Sequence, residues 1–292
     1  MLSREESKKL IIQNFNNNVL GKNPLQFKSA SYHKGKIGHW LETNLGGVVD
    51  ADGNADLNGF ECKKESKKVS WGDWGPNYRI FADKSYETFN KQRLFENMWS
   101  FVKTFGAERI HSSKGLYHSL SGSHVPQKVN DLTNFGLSLE ENLGDISLLY
   151  NHEEDKRLNK NQIPREFQKN NLLIYKWFGT DLNFHLFKNQ VISQRLPIEV
   201  NFTGVNASVS LEERIRRKFG VYGVVIGLHD ESKGFYGLKF LKQISFKDWI
   251  SYFRKKDIIY DTALTTKNRR PYNQWRSTKK FMDTLEEETY IP

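Results

Sequence analysis

Asp56, Glu61 and Lys63 stand in the pattern Asp-x4-Glu-x-Lys. Two carboxylates at that spacing can hold a hard divalent cation, and the backbone carbonyl of Cys62 can add another oxygen. Such a cation polarises a phosphodiester oxygen and acidifies an attacking water. Lys63 would place positive charge beside that water or the phosphorus centre. Glu42, upstream, would supply a further metal oxygen or a contact behind the ligands.

These residues need particular elements to hold them. The spacing predicts a helix over Gly38 to Leu45, with Ile37, Trp40, Leu41 and Leu45 on one face and Glu42 at its edge. Gly46-Gly47 ends it. Gly59 to Lys63 is a predicted strand, so Glu61 and Lys63 share one face while Phe60 and Cys62 point into the core.

Two other readings use the same stretch. Asp50, Asp52, Asn54, Asp56, Asn58 and Glu61 fit the ligand positions of an EF-hand calcium loop. Against it, Ala55 stands where the loop needs Gly, and Cys62 to Trp74 lacks helical periodicity. The third reading is a purely structural acidic turn.

The chain has 292 residues, with 44 Lys and Arg against 34 Asp and Glu, a formal charge of +10. Residues 211–280 alone carry that +10, and the rest sum to zero. The tail closes with Asp283, Glu286, Glu287 and Glu288 and no base. A basic segment of this size implies an anionic partner, nucleic acid or a membrane surface. Cys62 is the only cysteine, which excludes an intrachain disulfide and any all-cysteine metal cage. No phosphate-binding Gly-rich loop points to ATP, and no two of the eight His have a paired ligand spacing. The start lacks an apolar signal core, and the run Val221 to Leu228 is too short to span a bilayer. The expectation is a soluble, cytoplasmic protein.

Further helices are predicted over Arg4 to Asn17, Tyr86 to Phe105, and from a Ser245 N-cap to Lys255. Predicted strands are Tyr78 to Ala82, a pair within Leu132 to Tyr150 turning at Glu140-Glu141-Asn142, a hairpin of Val221 to Leu228 with Gly234 to Leu241, and Asp257 to Asp261. Asn151 to Asn170 is so polar that it reads as a linker. The expected class is mixed α/β (α+β). The expected division is a lobe over 1–150, which holds the Asp56 site, and a lobe over 151–292, which holds the basic segment, with one compact bilobed unit as the alternative.

The segment Lys34-Gly-Lys-Ile-Gly-His-Trp-Leu-Glu42, then Asp56, then Glu61-Cys-Lys63, resembles the catalytic segment of the MutH-like branch of PD-(D/E)xK nucleases. Its closest likeness is to type II restriction endonucleases of the MvaI, BcnI and LlaMI kind. Asp261 to Met282 is similar to the terminal segment of LlaMI-like enzymes. The resemblance implies a restriction-endonuclease-like core, a mixed sheet flanked by helices and bilobed around a DNA cleft. It implies catalytic roles for Glu42, Asp56, Glu61 and Lys63, with Asp56, Glu61 and the Cys62 carbonyl on the metal and Glu42 a further candidate ligand. It implies Mg²⁺-dependent cutting of both strands of DNA at a short site, leaving a 5′-phosphate. Mn²⁺ would substitute, and Ca²⁺ would bind without supporting cleavage. A monomer is implied, with a dimer as the alternative and no membrane partner. A repair nicking enzyme and a non-catalytic DNA-binding protein with a structural Ca²⁺ loop remain the rival functions.

Residues that would meet DNA fall in three groups. Thr265 to Arg276 reads as an ordered loop in which Lys267, Arg269, Arg270, Asn273, Gln274 and Arg276 carry groups suited to base edges. Arg214 and Arg217, in a cluster with Arg216 and Lys218, would grip phosphates. Lys34 and Lys36 complete the set.

Overall fold

The computed structural model describes residues 2–24, 36–47, 54–90, 92–113, 115–121, 135–193, 209–267 and 272–292. Along the chain come α1 (Arg4–Asn14), a π-helical turn (Phe15–Val19), α2 (Lys36–Asn44), β1 (Phe60–Lys64), β2 (Lys68–Asp73) and β3 (Tyr78–Arg79). Then follow α3 (Glu87–Asn90), α4 (Leu94–Phe105), β4 (Ala107–His111), β5 (Gly115–Ser121), β6 (Phe135–Asn142), β7 (Asp145–Asp155) and β8 (Leu172–Trp177). The remainder is α5 (Asp181–Ser193), α6 (Leu211–Phe219), β9 (Gly223–Asp230), β10 (Gly234–Leu241), α7 (Phe246–Arg254), β11 (Ile259–Thr265), β12 (Asn273–Thr278), α8 (Lys279–Asp283) and β13 (Glu286–Tyr290). This is the mixed α/β class that the sequence predicts. Among the described residues no helix is long and apolar enough to cross a membrane.

The chain forms two compact units, each discontinuous in sequence. The first gathers Met1–Val69, Glu212–Tyr252 and Ser277–Pro292, and the second Ser70–Leu211 and Phe253–Arg276. Residue 150, where the sequence reading divides the chain, lies inside β7 of the second unit.

In the first unit a four-stranded sheet runs in the order β1-β9-β10-β13. β1 is parallel to β9, with Glu61 beside Val224 and Lys63 beside Ile226. β9 and β10 form the expected hairpin, and β13 adds antiparallel to β10. β9 is central and buried from Gly223 to Leu228, which explains its unbroken apolar run. Ile11 of α1, Phe15 and Val19 of the π turn, and Leu41 and Leu45 next to or in α2 pack with Phe60, Cys62, Val225, Phe235, Leu238 and Phe240. Phe60 and Cys62 therefore face the core, as their alternation predicts.

The second unit holds strands of two sheets, in orders β2-β12-β11-β5-β4 and β3-β8-β7-β6. Aromatic residues dominate its interior: Phe101, Phe105, Tyr150, Phe167, Tyr175, Trp177, Tyr260 and Trp275 are all buried. Several expectations change here. Asn151 to Asn170 is no linker: its first residues finish β7, Phe167 is fully buried, and buried Asp155 is held by Arg157 at 2.6 Å. The β6–β7 turn falls at Leu143-Gly144, just past the expected place. Tyr78 to Ala82 is half strand and half 3-10 helix. The expected long helix from Tyr86 is broken into α3 and α4. The strand expected over Asp257 to Asp261 runs instead over Ile259–Thr265.

Candidate metal centre

All four candidate catalytic residues lie in the first unit. Asp56 is brought to β1 by a tight turn. Leu57 N–H donates to the Phe60 carbonyl at 2.8 Å and Phe60 N–H returns the bond at 3.0 Å. The residues between them, Asn58 and Gly59, have φ of 48° and 101°. Asn-Gly is the pair best suited to two successive positive φ values. A Cβ at position 59 would also collide with the Tyr222 ring. The turn sends Asp56 back alongside the strand, where its Oδ2 accepts the Cys62 N–H at 3.0 Å. The Asp-x4-Glu spacing is thus the spacing of a two-residue turn.

Glu61 is 0% exposed. Its Oε1 accepts from Lys63 Nζ on the same strand and from Lys218 Nζ of α6 at 2.9 Å. Its Oε2 is buried with no hydrogen-bond partner among the described residues. Burial alone would raise the Glu61 pKa, but the two lysines outweigh it and hold the carboxyl below its ordinary range. Asp56 is different. Burial, then the neighbouring Glu61 charge, push its pKa up to about 7 against the pull of Lys63 and Lys218. Burial lowers the Lys63 pKa, yet Glu61 more than reverses this, so the ammonium stays charged. The Cys62 thiol is pushed well up by burial and the surrounding carboxylates, and is no nucleophile.

Glu42 sits on α2 with His39 Nδ1 3.9 Å from its Oε2. Gly47 closes α2 against the Asp56 turn. A Cβ there would lie 3.0 Å from Glu42 Cγ and 3.0 Å from the Asp56 carbonyl, so only glycine lets the two segments approach this closely.

The donor set suits a hard cation: two adjacent carboxylates, one with a free buried oxygen, in a locale that already strains against two negative charges. Among the described residues no three His, Cys, Asp or Glu side chains yet converge. The EF-hand reading fits poorly, because Glu61 lies within β1 where that motif begins a helix. Asp50 and Asp52 lie outside the described residues.

The DNA-facing candidates are placed differently from expectation. Arg214 on α6 is buried, at 3% exposure. Arg216 and Arg217 both pair with Glu213, at 2.6 and 2.7 Å, which holds that carboxyl at about 2. Asn273, Gln274 and Arg276 belong to β12, not to a loop. Asn273 is 9% exposed and its Oδ1 accepts from the Tyr260 hydroxyl. Arg276 binds Asp261 Oδ2 at 2.9 Å and Gln274 Oε1 at 2.7 Å. Lys267 is exposed. Lys36 opens α2. Lys34, Arg269 and Arg270 lie outside the described residues. Sequence reasoning took Lys218 for one more base in a phosphate-gripping cluster, when it points at Glu61.

Residues 22–290 match the LlaMI restriction endonuclease family. The chain belongs to that family. Over 285 residues it is 30% identical to the type II restriction enzyme ScrFI of Lactococcus lactis subsp. cremoris, covering 96% of this chain and 97% of ScrFI. It is similar in fold to the restriction endonuclease MvaI in complex with its cognate DNA substrate, with a TM-score of 0.52 over 100% of this chain and 99% of MvaI. At 10% identity that likeness speaks to fold alone. It agrees with a PD-(D/E)xK-like core, and the LlaMI-family match extends across both units.

Proposed function

We propose that this chain is a type II restriction endonuclease that hydrolyses phosphodiester bonds of double-stranded DNA at a short specific sequence, with Mg²⁺. The observation that carries the reading is buried Glu61 beside Asp56, its Oε1 held by two lysines and its Oε2 unpartnered. ScrFI, similar over nearly the whole chain, is a type II restriction enzyme, and MvaI takes a DNA substrate.

Asp56 and Glu61, with the Cys62 carbonyl, would hold the cation, and Glu42, on the helix that Gly47 closes against the Asp56 turn, would be a further ligand. A bound divalent cation supplies Lewis-acid polarisation of the phosphodiester and a more acidic attacking water. Lys63, charged and 21% exposed, stabilises negative charge growing on the phosphate oxygens. Water forms the new bond to phosphorus, the bond to the 3′ oxygen breaks, and the products are a 5′-phosphate and a 3′-hydroxyl. Asp56, its pKa raised by burial and by Glu61, would release its proton to solvent when a cation takes its place. The first unit would carry this chemistry, and Lys267 and Arg276 of the second would serve sequence reading.

The test is incubation of the protein with a mixed-sequence plasmid and Mg²⁺. Discrete linear fragments are expected, with activity in Mn²⁺, binding without cleavage in Ca²⁺, and loss on chelation. Nicked circles would point to a repair-type enzyme, and intact plasmid under every metal would defeat the nuclease reading.

A further inference from the structure

Glu61 carries two ammonium groups on one oxygen and none on the other. Oε1 is shared by Lys63 and by Lys218, which lies 157 residues further along the chain. Helix α6 reaches the site a second time through its backbone. The Arg217 carbonyl accepts the Ala55 N–H at 3.1 Å, one residue before Asp56. The last turn of α6 therefore fixes the main chain at one carboxylate and the side chain of the other. Its arginines are occupied elsewhere, on Glu213.

We propose that Lys218 is a positioning residue for the metal-ligand carboxylates. It holds Glu61 by Oε1, keeps Oε2 turned toward the cation, and leaves Lys63 free to serve the phosphate. The inference rests on the nuclease reading of this site. Charge balance supports it. In the ionised form that binds a cation, Asp56 and Glu61 together cancel the charges of Lys63 and Lys218. A divalent cation adds two positive charges, which one phosphodiester and Glu42 cancel in turn. A single lysine could not do both tasks, because turning toward the phosphate would strip a fully buried carboxylate of its only cation. With Lys218 in place, Lys63 can turn away at little cost.

The experiment compares Lys218→Met and Lys218→Arg in the full-length protein. Four quantities are measured: Mn²⁺ affinity without DNA by electron paramagnetic resonance, single-turnover cleavage at saturating DNA, DNA affinity in Ca²⁺ across a salt series, and thermal melting. Lys218→Met is expected to weaken Mn²⁺ binding roughly 10-fold and slow cleavage about 10–100-fold, the range for losing a group that orients a metal ligand. DNA affinity and its salt slope should not change, and Lys218→Arg should recover most of the Mn²⁺ binding. If Lys218 merely repels the cation, Lys218→Met binds Mn²⁺ as tightly as wild type or more so, and the proposal falls. It falls also if the salt slope drops by about one while the saturated rate holds, the mark of a phosphate contact. If Lys218→Met does not fold, Lys218→Gln, which still donates to Oε1, should bind Mn²⁺ nearly as wild type does. A loss of Mn²⁺ binding by Lys218→Gln would equally overturn the idea. A wild-type protein that binds Mn²⁺ but cuts no DNA sinks the nuclease reading, and the Mn²⁺ comparison still decides the role of Lys218.

Discussion

The Asp56 carboxylate accepts the main-chain N–H of Cys62 at 3.0 Å, so the first carboxylate of the motif is tied to the strand that carries the second. One oxygen is spent on the scaffold and the other is left for chemistry. Asp56→Asn keeps an acceptor for Cys62 and removes the charge. It should fold as wild type and lose cleavage by about three decades, since a catalytic cation is worth several kcal/mol. DNA affinity without metal should hold or rise. Full cleavage by Asp56→Asn, assayed on plasmid with Mg²⁺, would remove Asp56 from the site.

Glu61→Gln removes the carboxylate that Lys63 and Lys218 share. Two ammonium groups then face a neutral amide in a buried place, at about 3–5 kcal/mol of stability. Urea denaturation should show a lower midpoint, and cleavage should vanish. Equal stability would mean that water reaches these lysines freely.

Asp155 provides a pH test outside the site. Burial would raise its pKa, but the Arg157 hydrogen bonds win and hold the carboxyl below its usual range. A folded-state value below the unfolded one adds stability that is complete above about pH 4, the unfolded value, and fades as pH falls through the folded value. Asp155→Asn should flatten that acid limb in urea titrations between pH 2 and about 5. An unchanged limb would place the acid sensitivity elsewhere.

Trp177 donates its indole N–H to the Trp74 carbonyl at 2.8 Å, in contact with Tyr175, Tyr260 and Trp275. Trp177→Phe keeps an aromatic ring but removes that hydrogen bond. The expected cost is about 1–3 kcal/mol plus a packing penalty. Thermal melting of the variant would measure it.

On the DNA side, Lys267→Ala should weaken binding to all sequences alike and lower the salt slope by about one. Arg276→Ala should cost roughly 1–3 kcal/mol and relax discrimination at one base pair if its guanidinium leaves Asp261 for a guanine. Competition titrations with single-mismatch duplexes separate the two patterns. A non-selective loss at Arg276 would assign it to phosphate or to the sheet.

Much of the catalytic stretch is legible because its geometry is local. The apolar stripe of α2, the alternation along β1 and the Asp-x4-Glu spacing all arise within a few residues. Asn58-Gly59 is a turn signal that the sequence reading passed over, and it would have explained that spacing. Lys218 leaves no local trace, because its partner is brought to it only by the pairing of β1 with β9. The strand at Asn273 was hidden for another reason. Its buried positions are Asn273, Trp275 and Ser277, so the period of two is written partly in polar residues. Asn151 to Asn170 misled in the same way, its polarity masking buried Phe167 and a neutralised Asp155.

The first unit is assembled from three separate stretches, and this has a consequence for synthesis. A growing chain makes Asp56, Glu61 and Lys63 early, but β9, the neighbour of β1, and Lys218 emerge only after Ser70–Leu211, the longer stretch of the second unit, has been translated. Until then the carboxylates have neither their sheet nor their second ammonium group. A chain that stops before α6 is therefore expected to lack the assembled site, and cleavage would wait on the synthesis of β9.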